Sequence, residues 1–194
     1  MNKFLSVVML SALLFSCAQA PTPNIHYYLL NTPVINEQVK KTAVLDPSAH
    51  IELDRVLLPQ YLKQQSLVML IGENQLHYAR YHLWGESLAH GIAKYIRQAV
   101  NHLNIQDVKN AKTLKLTIEI DHFYPTDQAQ VILSGRYFFK NKFNKKRVFE
   151  FAFKQALRAD GYSQAVKQMH ALIEQLTQKI IRNGQALDAK HEGV

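Results

Sequence analysis

The chain has 194 residues, 47% of them hydrophobic, with seven glycines and one cysteine; that is chain enough for one globular core and too apolar for a disordered segment. One cysteine excludes an intrachain disulfide, a cysteine-based zinc site and a CxxC redox pair, and the scattered glycines form neither common nucleotide cradle. Basic residues number 23 and acidic ones 15, a formal charge of +8, which calls for an anionic partner without choosing among nucleic acid, lipid head groups and an acidic protein.

Lys3 precedes an apolar run from Phe4 to Phe15. A membrane-spanning helix needs roughly 20 apolar residues, so the run reads as an export signal over residues 1–16. It ends in Leu14-Phe15-Ser16-Cys17, which resembles the lipobox of bacterial lipoproteins. Leu stands at −3, a small residue at −1, and then the thiol that becomes the thioether. Cys17 is thus the predicted lipid attachment site, carrying covalent diacylglycerol and an N-acyl chain, with no other cofactor. Two other readings compete. Ala18-Gln19-Ala20 matches an A-x-A cleavage site, although Pro21 suits a scissile bond poorly because its φ is fixed and it has no N–H. A buried structural thiol is the third. Residue 18 is Ala rather than Asp. By analogy with enterobacterial lipoprotein sorting, this implies the outer membrane, with the protein facing the periplasm. Residues 17–24 then form the lipidated cysteine and a proline-containing tether, reaching ~20 Å at about 3.1 Å per residue.

One domain is expected over residues 25–184, followed by a polar tail, 185–194. In chain order, His26 to Leu30 is β-rich and ends in a turn cluster, and 34–48 is a polar loop. Ile51, Leu53, Val56 and Leu58 lie in a strand that stops at Pro59. Leu67 to Ile71, a turn at Gly72-Glu73-Asn74 and a returning strand from Gln75 make a hairpin. A helix is predicted from about Leu83 to Leu103, with Trp84, Leu88, Ile92, Tyr95, Ile96, Ala99 and Leu103 on one stripe. Three strands follow, over 113–121, 130–139 and 147–157. The last helix is predicted over 163–181, with Ser163 as N-cap and Gly184 at C′. Fold class is therefore α+β. We expect a single two-layer domain, a mostly antiparallel or mixed sheet, and two amphipathic helices packed on one face.

Each candidate chemistry has a plainer reading. His82, Glu86 and His90 recur at i, i+4, i+8, and a solvated helix face explains them better than a metal site. Gly85-Glu86-Ser87-Leu88-Ala89 comes near the G-x-S-x-G nucleophile elbow but lacks the last Gly and sits in a helical pattern. Glu119 and Asp121 share a strand face that alternates with Lys115 and Thr117, as any exposed strand does. Lys140, Lys142, Lys145, Lys146 and Arg147 fall within eight residues between two strands. That stretch reads either as a solvated hairpin turn or as a contact for anionic lipid or an acidic partner.

Several linked pieces carry a resemblance: Tyr27-Tyr28-Leu29-Leu30, Val56-Leu57-Leu58-Pro59-Gln60-Tyr61-Leu62, Leu83-Trp84-Gly85-Glu86-Ser87-Leu88, Val131-Ile132-Leu133-Ser134-Gly135 and Asp160-Gly161-Tyr162. In this order and spacing the chain resembles the ABC-type transport auxiliary lipoproteins over about residues 25–183, and among them the PqiC-like intermembrane transport lipoproteins. The resemblance implies a non-catalytic lipoprotein anchored in the outer membrane. It implies as partners an MCE-domain (PqiB-like) transport protein and its inner-membrane components. Homo-oligomerisation and a role in lipid transport and envelope integrity also follow from it, and no nucleic-acid partner is expected because an exported protein rarely meets nucleic acid. The alternatives are a lipid-anchored periplasmic enzyme using Ser87, His82, His90 or Glu119, and a structural lipoprotein binding an acidic envelope partner through Lys140 to Arg147.

Overall fold

The computed structural model describes residues 23–31, 49–103 and 112–189. The expected signal peptide, Cys17, most of the expected tether, the expected loop over 34–48 and residues 190–194 lie outside the described residues. Among the described residues, seven strands and two helices run in the order β1 (His26–Tyr28), β2 (Ala49–Leu57), β3 (Ser66–Ile71), β4 (Gln75–Trp84), α1 (Leu88–Leu103), β5 (Lys112–Thr126), β6 (Gln130–Lys140), β7 (Lys146–Ala156) and α2 (Tyr162–Ala189), with a 3-10 turn at Gln60–Lys63.

All seven strands join one mixed sheet, ordered β1-β4-β3-β5-β6-β7. The long β5 organises it. One edge of β5 pairs antiparallel with β6 along its length. The other edge is shared: β2 pairs parallel with its first half, from Ala49↔Lys112 to Leu57↔Glu119, and β3 meets its end at Leu70↔Thr126. The α+β two-layer arrangement expected from the sequence is the one observed.

Alternation decides which face is covered. Leu114, Leu116, Ile118 and Ile120 of β5 are buried, as are Val131, Leu133, Tyr137 and Phe139 of β6 and Phe151 of β7. These residues share the inner face because their pairings keep a period of two. A bulge at Asp121 shifts the register between Ile120 and His122. Beyond it the inward set changes parity and continues with Phe123, which is buried. Rings tie the strands together: Tyr137 stacks on Phe149 at 5.3 Å and meets Phe139 edge-on at 5.8 Å.

Both helices cover this inner face. α2 buries Val166, Met169, Leu172, Ile173, Leu176 and Ile180, and α1 buries Leu88, Ile92, Ala93, Ile96 and Val100. Each large aliphatic side chain contributes ~1.5–3 kcal/mol on burial, so the two stripes hold the layers together. Three helix boundaries differ from the sequence reading, the first being that α2 already begins at Tyr162, so Ser163 lies inside it and is not its N-cap. Leu83 and Trp84 end strand β4, so the first helix begins five residues later than predicted. Trp84 is buried from the strand side; its fit to a helical period coincided with a strand end that also points inward. The last helix runs through Gly184 to Ala189, so Gly184 is not a C′ residue and residues 185–189, read as tail, are helical.

The buried phenols carry a pH signature. Burial pushes Tyr137 and Tyr95 from the usual 10.0 up to about 12, the hydrogen bond from Asn183 opposing the rise at Tyr137 and Glu174 adding to it at Tyr95. Tyr61 is raised as well, by burial first and then by Tyr124. The fold therefore holds these groups neutral, while the unfolded chain releases their protons near pH 10. Stability from this source is intact below pH 10 and is lost as pH rises from 10 to about 12. Thermal melts at pH 9, 10 and 11 should show Tm level over the first step and falling over the second.

Candidate functional site

The β6–β7 hairpin carries the basic cluster predicted from sequence. Its turn is built by Asn141, whose side-chain Oδ1 accepts from the backbone N–H of both Phe143 and Lys145 at 3.0 Å. The Asn141 N–H donates to the Lys145 carbonyl at 3.2 Å, and Asn144 takes a left-handed φ of 60°, a conformation asparagine tolerates. Lys140, Lys142, Lys145, Lys146 and Arg147 are all exposed around this turn. Among the described residues none of the five is ion-paired to a carboxylate. Lys142 Nζ sits 5.1 Å from the Phe143 ring centre, and Lys146 Nζ 3.5 Å from that of Phe138.

Phe143 itself was missed by sequence reasoning. It is 71% exposed at the tip of the hairpin, an aromatic side chain ringed by cations. The signal was present as one apolar residue inside a run of lysines and asparagines. On the outer face of the sheet, Lys115, Lys140 and Lys146 stand in register across β5, β6 and β7, which extends the basic surface away from the turn.

The opposite edge of the sheet is of another kind. Ile25, Tyr27 and Leu29 are exposed along β1, with Tyr27 at 62%. On the other side of β1, His26 stacks on His82 at 5.2 Å, His82 stacks on Tyr162 at 3.9 Å, and the Tyr28 hydroxyl is 2.9 Å from His82 Nδ1. Burial, and then the neighbouring His26, hold the His82 pKa below its usual value. The stack fastens β1 and β4 to the start of α2.

The residues weighed for catalysis are dispersed. His82 lies on β4, not on a helix face with Glu86 and His90, because the helix starts only at Leu88. Gly85 to Ser87 forms a strand-to-helix turn rather than helix, but the Ser87 hydroxyl is taken up as a cap, accepting from the His90 N–H at 3.3 Å. The His90 ring faces Glu86 at 3.6 Å. Glu119 pairs with Arg136 across the strands, and Asp121 occupies the bulge, where its carbonyl accepts from the Tyr61 hydroxyl. Among the described residues no group of three or more His, Cys, Asp or Glu side chains is placed to hold a metal, and no helix is long and apolar enough to cross a membrane.

A family model described as the ABC-type transport auxiliary lipoprotein component matches residues 28–181. The chain belongs to this family. Its matched span starts at Tyr28, the last residue of β1, and ends within α2, so it takes in β2 to β7, α1, most of α2 and the basic hairpin. Membership makes the protein a lipoprotein-type accessory component of a transport system. Two crystal structures share the fold. One, of an uncharacterized protein, is 17% identical and superposes with a TM-score of 0.67 over 83% of this chain and 99% of the other. The second is a Xanthomonas campestris protein assigned to a domain-of-unknown-function family, 10% identical, with a TM-score of 0.59 over 74% of this chain and 87% of the other. A search of the curated proteins finds no match.

Proposed function

We propose that this transport auxiliary lipoprotein is acylated at Cys17, anchored in the outer membrane and facing the periplasm. There it acts as a non-catalytic docking subunit of an MCE-type intermembrane lipid transport system that supports envelope integrity. The observation that carries the reading is the family match over residues 28–181, whose description joins lipoprotein to transport auxiliary component. The lipobox-like Leu14-Phe15-Ser16-Cys17 supplies the thiol such an anchor needs, and two or more acyl chains hold a protein on a membrane stably. Ala18 at the following position favours the outer membrane. The enzyme alternative draws no support from the geometry, because His82 and Glu119 lie on different strands away from Ser87, and the Ser87 hydroxyl meets the backbone N–H of His90 and not its ring.

Two measurements test it. Cys17→Ser should move the protein from the membrane pellet to the soluble periplasmic fraction, with the wild type showing an acylated Cys17 by mass spectrometry. A mature chain beginning at a free Pro21 overturns the anchor. Solubilised wild-type protein should also retain an MCE-domain protein from its host; recovery of no envelope transport component overturns the partner assignment.

A further inference from the structure

We propose that the tip of the β6–β7 hairpin is a docking site for an acidic protein surface on the side of the molecule remote from the lipid anchor, Phe143 seating in an apolar recess of that partner. The inference rests on the anchored-lipoprotein reading and adds the partner's chemistry and the place where it binds.

Strand direction supplies the first argument. β1 runs parallel to β4, β4 antiparallel to β3, β3 parallel to β5 and β5 antiparallel to β6. β1 therefore runs in the same sense as β6, and β6 ends at the hairpin. The chain before His26 must leave the sheet at the other end. The pairings Tyr27↔Leu83 and Ser66↔Leu83, with Leu70↔Thr126 four residues on, set β1 level with the His122↔Ser134 pair of β5 and β6. From Ser134 to Lys140 is a further ~20 Å along the strand, and β1 to β6 is four strand spacings, ~19 Å, across the sheet. The start of β1 and the tip thus stand ~28 Å apart along a diagonal of the sheet. For the tip to meet the anchoring membrane, the segment from Cys17 to His26, at most ~32 Å when fully extended, would have to double back along that diagonal.

Chemistry supplies the second. Residues 140–147 hold five cations and no acid, so the tip projects an unneutralised positive field that steers an acidic partner. Phe143 is the only exposed apolar side chain of that turn. The turn backbone that carries it is held by the Phe143 and Lys145 N–H groups donating to Asn141 Oδ1, so less backbone ordering is left to be done on binding. Aromatic side chains are enriched in the cores of protein interfaces, whose rims are polar.

The experiment uses the acylated full-length protein in its native envelope, with a photo-crosslinking phenylalanine analogue at position 143. The expected result is an adduct to one protein. Its yield should drop about tenfold or more in Lys142→Glu/Lys145→Glu/Lys146→Glu, a variant whose melting temperature should stay within a few degrees of wild type because all three side chains are exposed. Replacing the acidic residues at the partner's cross-linked peptide with lysine should restore the yield. A phospholipid adduct, no adduct, or a protein adduct insensitive to the charge reversal each overturns the assignment. If an MCE-domain protein co-purifies but is not cross-linked from position 143, the docking site fails while the proposed function stands. If the charge-dependent adduct is with a protein of no transport system, the docking site stands and the proposed function fails.

Discussion

Gly135→Ala is expected to destabilise the protein by roughly 3 kcal/mol or more. Gly135 sits on β6 opposite Ile120, beside the bulge at Asp121, with a φ of +156°. A Cβ built there falls 2.2 Å from the Glu119 carbonyl oxygen and 3.0 Å from the Ile120 Cα. Both obstacles are backbone atoms of the central strand, held in place by pairing on both edges of β5, so neither can move aside. Backbone strain and overpacking together amount to roughly 3 kcal/mol or more, a large share of the 5–15 kcal/mol that ordinarily stabilises a domain. Circular dichroism and a denaturant melt would measure this; a variant that melts within ~0.5 kcal/mol of wild type would show that β5 and β6 can slide apart at the bulge. The bulge and the glycine form one device. It lets β5 change the parity of its inward side chains while keeping β6 paired over its full length.

Gly184→Ala should destabilise the protein although alanine is the better helix former. The exchange gains about 1 kcal/mol of intrinsic helix propensity. Against this, the new Cβ would lie 2.6 Å from Ile51 Cδ1 and 3.3 Å from Phe139 Cζ. Ile51 and Phe139 are both buried, so their movement is confined, and overpacking of this kind costs roughly 1–3 kcal/mol. Gly184→Leu should be worse still. The decisive measurement is the double variant Gly184→Ala/Ile51→Val. Ile51→Val removes the methyl that the new Cβ meets, so the pair should return to near wild-type stability, with a coupling energy of ~1 kcal/mol or more in the double-mutant cycle. Purely additive effects would mean that α2 lifts off β2 locally and does not press on it. This glycine holds the end of α2 close to β2 and β6, which explains why the helix continues past it.

Much of the sheet could be read in advance. The alternation in Leu114 to Ile120 and the aromatic and β-branched runs over 130–139 and 147–157 allowed only strands, because each pattern has a period of two and two of them are rich in residues that crowd a helix. The hairpin at Gly72 was equally clear, and of the helical stripe Leu88, Ile92 and Ile96 are buried, although Val100 and not Ala99 is its buried member in the fourth turn. The errors fell where two periods overlap. Trp84 is four residues from Leu88, so it fits a helix, but it also ends the alternation of β4, and tertiary pairing of Trp84 with Tyr28 and of Leu83 with Ser66 decided the matter. Gly184 looked like a stop because glycine is common just past a helix end. Its reason for being there is an isoleucine on a strand more than a hundred residues earlier, which no local pattern reveals. Within the basic cluster the charges were legible and Phe143 was not, because exposure of an aromatic residue is a property of the folded turn.

The sequence by itself settled the α+β class, the absence of any cysteine pair, the export-signal and lipobox pattern ending at Cys17, and the place of five cations between two strands. All of these are local in the chain: a period, a count, or a short run of residues with one chemistry. Only the tertiary structure decided that β2 and β3 share one edge of β5, that Gly135 and Gly184 are packing positions, and that the start of β1 and the basic tip stand at diagonal corners of the sheet. These depend on strand order and direction. They are fixed by pairing between segments far apart in sequence, where burial of both helix stripes on a single face selects one topology from many that the same local patterns would allow.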